Sequence, residues 1–146
     1  MNTRQVGGII FRERNEVLEF LLLKRIPEKG GFWQSITGEV ENETLLVAVL
    51  REAREEAGIK TEDIIQIIKN VNHFEYKNTK KDCIVTEYVF GLEVNLNQEV
   101  RLDKNIYKEH DEFKWVSLED ALKLLKWKSS KESMKQLVQM IAQKSE

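Results

Sequence analysis

The chain has 146 residues, of which 41% are hydrophobic and 33% charged, with a formal net charge of −2. This is enough apolar material for a single core in one domain, spanning residues 1–146, and leaves no need for a second. The small net charge gives no general attraction for a nucleic acid duplex, no apolar run approaches the roughly 20 residues that span a bilayer, and the N-terminal Met-Asn-Thr-Arg-Gln-Val has no signal-peptide pattern, so a cytoplasmic protein with a small-molecule partner is expected.

In chain order, residues 6–11 and 17–23 read as two strands of a hairpin, with the polar stretch 12–16 as its turn and Gly7-Gly8 permitting a close backbone approach. A loop at 26–31 carries the only proline, Pro27, and the segment Phe32-Trp33-Gln34-Ser35-Ile36 leads toward an acidic helix. Asn42 is a plausible N-cap for that helix, Gly58 suits the left-handed position that ends it, and Leu45, Leu46, Val49, Ala53 and Ala57 form a buried stripe. Beyond it, residues 64–68, 71–76, 83–94 and 112–116 are strand-like, separated by the polar 77–81 and a loop at 95–110. Ser117 caps a helix whose Leu118, Ala121, Leu122, Leu124 and Leu125 recur at helical spacing, and a last helix covers 130–142. Strands before and after helices make a mixed α/β pattern. The lone cysteine, Cys83, excludes an intrachain disulfide and reads as a small buried residue.

The acidic helix carries the chemistry. Residues three and four apart share a helix face, so Glu52, Glu55 and Glu56 point the same way. Like charges at that spacing cost roughly 0.2–0.5 kcal/mol per pair, and Arg51, four residues before Glu55, offsets only part of this. A bound divalent cation would reverse the sign, since Mg²⁺ takes oxygen ligands, commonly one or two carboxylates together with substrate phosphates. Taken alone, the same residues would also suit a solvated, salt-bridged helix face.

The surrounding pattern favours the first reading. From Gly38 to Ile59 the chain reads Gly-Glu-Val-Glu-Asn-Glu-Thr-Leu-Leu-Val-Ala-Val-Leu-Arg-Glu-Ala-Arg-Glu-Glu-Ala-Gly-Ile, which resembles the Nudix box G-x5-E-x7-R-E-U-x-E-E-x-G-U, where U is aliphatic. Every fixed position from Glu43 onward is met, with Ala53 and Ile59 in the apolar slots. Before Glu43 the loop is one residue short: Gly38 stands where the pattern has its next position, and Thr37 occupies the place of the first glycine. The chain is thus similar to the Nudix hydrolase superfamily (MutT-like), which implies an α/β/α sandwich around a mixed β-sheet. The segment from Phe32 to Gly38, the run His110-Asp111-Glu112-Phe113-Lys114-Trp115 and Trp127-Lys128-Ser129 look like the dATP pyrophosphohydrolase and dihydroneopterin triphosphate pyrophosphatase branch. Diadenosine tetraphosphate hydrolases share a similar C-terminal histidine and tryptophan.

The resemblance implies roles. Glu43 would pair with Arg51 and hold loop against helix, orienting the ligands. Glu52 and Glu56 would be the main ligands of Mg²⁺, with Mn²⁺ a possible substitute; Glu55 would complete the site or reach a second ion. The backbone carbonyl at Gly38 and the carboxylate of Glu109 would join the metal side. Glu55 or Glu52 would act as general base on an attacking water. The implied activity is hydrolysis of a nucleoside or pterin triphosphate to monophosphate and pyrophosphate. The alternatives are a diadenosine tetraphosphate hydrolase, an ADP-ribose hydrolase and a nucleotide-binding domain without turnover.

Outside the box, Arg25, Arg4 and Lys24 sit on or beside the first two strands where a phosphate chain could pass. Phe32 and Trp33 could stack on a base or pterin ring, Trp33 being equally suited to the core. His73 and His110 lack the paired spacing of a zinc site. Substrate selection is expected in residues 26–34, 76–82 and 95–110, and the protein as a monomer or homodimer.

Overall fold

The aliphatic runs at the start of the chain form an antiparallel pair that outreaches its apolar residues: β1 (Asn2–Arg14) and β2 (Val17–Arg25). Residues 12–14, expected in the turn, belong to β1 because the ladder is made by backbone groups, and the facing side chains Arg12 and Glu19 form a 2.7 Å ion pair. The turn is only Asn15 and Glu16, both at positive φ (52° and 68°). The chain is described here by a computed structural model covering residues 2–144, so Met1, Ser145 and Glu146 of the expected 1–146 domain lie outside the described residues.

Two short strands follow, β3 (Trp33–Gln34) and β4 (Ile36–Glu39), then the helix α1 (Leu45–Ala57). The segments expected at 64–68 and 71–76 are one strand, β5 (Ile64–Asn78), with an irregularity between Ile68 and Asn72 where Asn70 takes φ 58°. Then come β6 (Cys83–Val94), β7 (His110–Val116), α2 (Leu118–Leu124) and α3 (Lys128–Lys144). The seven strands form one mixed sheet ordered β3-β2-β1-β6-β5, with β4 paired to β1 and β7 to β2. The β1–β6 pairing is parallel and the others are antiparallel.

Successive residues of the central strands point to opposite faces, and both faces are buried. Val6, Ile10, Leu21, Leu23 and Leu92 pack beneath Ala48, Val49, Ala53 and Ala57 of α1. Ile9, Phe11, Phe20, Leu22 and Val89 pack against Ala121 of α2 and Met134 and Leu137 of α3. The result is the expected α/β/α sandwich. Of the expected α1 stripe, Val49, Ala53 and Ala57 are fully buried, while Leu45 and Leu46 are partly so.

The N-cap of α1 is Thr44, not Asn42: the Val47 N–H donates to Thr44 Oγ1 at 3.2 Å. Asn42 lies two residues before the cap, in the middle of a tight turn closed by Glu43 N–H on Glu41 O at 2.8 Å. At the other end Gly58 takes φ 69° and its N–H donates to Arg54 O at 2.9 Å, a left-handed cap that favours glycine. Ser117 caps α2 through Asp120 N–H at 3.1 Å, as expected; α3 begins two residues before the expected start. Cys83 is buried and free.

Candidate active site

Beta4 and α1 present the box residues to each other. At the loop between them Arg51 is a hub: its Nη2 donates to Glu43 Oε1 at 2.6 Å and its Nε to Glu43 Oε2 at 3.1 Å. The same guanidinium donates to Glu52 Oε1 at 2.8 Å, to Glu55 Oε2 at 3.2 Å and to the Glu39 carbonyl at 3.1 Å. A planar fork of five N–H donors suits this arrangement, in which one side chain ties the short loop to the helix. The Arg51 guanidinium holds the Glu43 carboxyl below its ordinary range, and Glu43 in turn strengthens the protonated state of Arg51.

Glu56 lies one turn beyond Glu52 and is 4% exposed. Its Oε2 accepts a 3.3 Å hydrogen bond from the backbone N–H of Thr37, on β4. Glu109 approaches from the loop before β7, where Ile26 N–H donates to its carbonyl at 3.0 Å and anchors it against the end of β2. Ligand atoms of Glu56, Glu109 and His110 lie within 4.8 Å of one another. Burial first, then the neighbouring carboxyls of Glu109 and Glu52, pushes the Glu56 carboxyl well above its ordinary value. Glu52 is pushed up to about 7, burial outweighing the attraction of Arg51. His110 is buried, which lowers its imidazole to about 4, and its Nε2 has no hydrogen-bond partner among the described residues.

Gly38 sits directly under this group, since a side chain there would collide with the carboxylate of Glu52. The one-residue-short loop is thus accommodated by close contact between β4 and α1. Glu55 stands apart, with a side chain 48% exposed at the rim and tied to Arg51.

A cleft of about 780 Å³ opens beside Thr37. Arg25 lines it, with its Nη1 donating to Gln34 Oε1 at 2.8 Å and its Nε to the Lys29 carbonyl at 2.9 Å. Phe32 lines it too, edge-on to Trp127 at 6.0 Å, with the Lys126 ammonium 5.0 Å from the Phe32 ring and 4.7 Å from that of Trp127. The other candidates lie off the cleft. Trp33 packs into the core beneath Lys114, whose ammonium is 5.0 Å from its ring; Lys24 faces Glu112 at 3.8 Å; Arg4 is exposed and its carbonyl accepts from Val40 N–H.

Sequence reasoning passed over several residues that this geometry gathers. His110 was set aside for want of a paired histidine, yet strand pairing brings it to Glu56; its only signal is adjacency to Glu109. Gln5, Tyr76 and Glu87 line the cleft from three separate strands and carry no motif. Of the three expected selecting segments, 26–34 and 76–82 line the cleft, whereas 95–110 contributes Glu109 to the acidic end.

The NUDIX domain family model matches residues 1–137. The chain is 30% identical over 143 residues to bis(5'-nucleosyl)-tetraphosphatase (asymmetrical) from Mus musculus, covering 93% of each. It is 32% identical over 133 residues to an octanoyltransferase from Myxococcus xanthus, of whose length it spans 36%. A binary complex of the C. elegans Ap4A hydrolase superposes with a TM-score of 0.79 at 26% identity, covering 96% of this chain and 98% of that one. The E. coli dihydroneopterin triphosphate pyrophosphohydrolase gives a TM-score of 0.74 at 25% identity, covering 91% and 92%.

Proposed function

The chain belongs to the Nudix family and is a hydrolase acting on phosphoric anhydrides, and from that premise we propose that it cleaves a nucleoside or pterin triphosphate to the monophosphate and pyrophosphate, with Mg²⁺ as its ion and Mn²⁺ able to substitute. The observation that carries the reading is the convergence of Glu52, Glu56 and Glu109 beside Thr37, whose N–H binds Glu56 and which itself lines the cleft. In this reading residues 1–146 act as one catalytic domain.

The residues fit a hard divalent cation. Glu56 is buried with no Lys or Arg paired to it among the described residues, and carboxylate oxygens are the donors such ions prefer. Glu52 and Glu56 would hold the ion, with Glu109 and the Gly38 carbonyl beside them and Glu55 at the rim. When bound, the ion neutralises phosphate oxygens and acidifies a water molecule.

This chain's residues do the rest. Arg51, fixed by Glu43, holds Glu52 in place. Glu52 or Glu55 would take the proton of the attacking water. The water oxygen forms a bond to phosphorus, the bridging P–O bond breaks, and pyrophosphate leaves with the bridging oxygen. Arg25, lining the cleft, and Lys126, beside its Phe32 and Trp127 rings, attract the polyphosphate, and Phe32 offers a face for the heterocycle.

The likeness to bis(5'-nucleosyl)-tetraphosphatase and to the Ap4A hydrolase favours a second reading, hydrolysis of a dinucleoside tetraphosphate. Incubation with Mg²⁺ and a panel of nucleoside triphosphates, dihydroneopterin triphosphate, diadenosine tetraphosphate and ADP-ribose separates the two by product. Pyrophosphate released by the wild type and not by Glu56→Gln is the expected result. A nucleoside triphosphate released from the tetraphosphate with greater efficiency than any triphosphate is cleaved establishes the second reading. No turnover of any compound refutes both.

A further inference from the structure

We propose that Glu87 selects the heterocycle, pairing its carboxylate with the adjacent ring N–H and amino group of a 2-amino-4-oxopyrimidine edge, as carried by guanine and by pterins. This deepens the reading above and rests on it. Glu87 lies on β6 and lines the cleft. Gln5 Nε2 donates to its Oε1 at 2.6 Å, and Tyr76 Oη donates to Gln5 Oε1 at 3.2 Å, so the carboxyl is held in orientation from two neighbouring strands. Its second oxygen packs over Gly7: a Cβ there would lie 2.6 Å from Glu87 Oε2, so glycine makes room for the carboxylate.

The position suits a base whose phosphates lie at the acidic end. Thr37, which binds Glu56 through its N–H, pairs with Gly7, and Glu87 lies on the strand at the other side of β1. Two strand spacings and a step of two residues along the sheet separate them, roughly 12 Å, which an extended nucleotide can bridge. No Lys or Arg forms an ion pair with Glu87 among the described residues, so no cation competes with the N–H donors of a ligand for its oxygens. Two carboxylate oxygens side by side accept two parallel N–H bonds. Guanine and pterins present that pair. Adenine sets a ring nitrogen lone pair beside its amino group, against the second oxygen.

The test compares Mg²⁺-dependent kcat/KM of wild type and Glu87→Gln on GTP, dihydroneopterin triphosphate, ITP and ATP, with equilibrium binding of GMP, IMP and AMP as a readout independent of turnover. Wild type is expected to favour GTP or the pterin over ITP and ATP by roughly 10- to 100-fold, the worth of a bidentate contact. Which of those two is faster distinguishes the source of the edge. Glutamine offers one acceptor and one donor, a match for adenine, so Glu87→Gln is expected to lose the preference and to gain on ATP, a gain that damaged folding would not produce. Equal treatment of GTP and ITP by the wild type, or a preference that survives in Glu87→Gln, overturns the proposal while leaving hydrolysis intact. Absence of turnover, with wild type preferring GMP over IMP and Glu87→Gln losing that preference, would instead refute the hydrolase reading and keep Glu87 as the selecting residue.

Discussion

Replacing Glu52 by glutamine removes a charge while preserving the side chain's shape, and so mimics the protonated carboxyl. Burial pushes this group up from 4.5 to about 7 against the attraction of Arg51, with Glu55 and Glu109 adding to the rise. A folded-state value above the unfolded one means that the folded protein binds the proton more tightly. Stability without metal is therefore greatest below about 4.5, falls as pH rises to about 7, and carries the full penalty above that. At about 1.4 kcal/mol per pH unit the penalty is about 3 kcal/mol. Wild type and Glu52→Gln are expected to be equally stable near pH 4.5 in chelator, and the variant to be more stable by about 3 kcal/mol at pH 8. Saturating Mg²⁺ is expected to reverse the order, because only the wild type gains binding free energy from a complete ligand set. Urea unfolding followed by tryptophan fluorescence, across pH with and without Mg²⁺, measures all three. A difference that does not change with pH, or a wild type that is the more stable at pH 8 in chelator, refutes the reasoning.

Arg51→Met and Glu43→Gln, measured singly and together, are expected to be non-additive by denaturant titration, since the same two-point charged contact is lost in each; additive effects would mean that the loop is held otherwise. Gly38→Ala is expected to displace Glu52 and to cost at least about 1 kcal/mol by overpacking, with Mg²⁺-dependent thermal stabilisation reduced; an unchanged response to Mg²⁺ would count against the close approach of β4 and α1. Thr44→Ala is expected to cost about 1 kcal/mol through its lost cap, and Asn42→Ala less than half of that; equal losses would contradict the observed cap.

The elements most legible in the sequence are those set by local periodicity. The stripe of Val49, Ala53 and Ala57, the closing Gly58 and the hairpin of β1 and β2 all follow from the spacing of apolar and turn residues. The cap of α1 lies two positions beyond the expected Asn42, because Asn42 and Thr44 are both good capping residues and the choice depends on where the loop is held by Arg51 and Glu43. Likewise the joining of 64–68 and 71–76 into β5 depends on pairing with β6, which carries a strand across a bulge that composition alone reads as a break.

Residue spacing alone sets Glu52 and Glu56 one turn apart on a helix with Arg51 next to them, because a helix converts residue number directly into position, whereas the pairing of Arg51 with Glu43, in the loop before the helix, followed from the resemblance to the Nudix box. Only the tertiary structure decided that Glu109 and His110 meet Glu56, that Gln5 and Glu87 meet across β1 and β6, and that Trp33 enters the core while Phe32 faces the cleft. Those contacts join residues as many as 82 apart through strand order and register. Order and register are settled by which faces are buried together, a property of the whole sheet that no single segment carries.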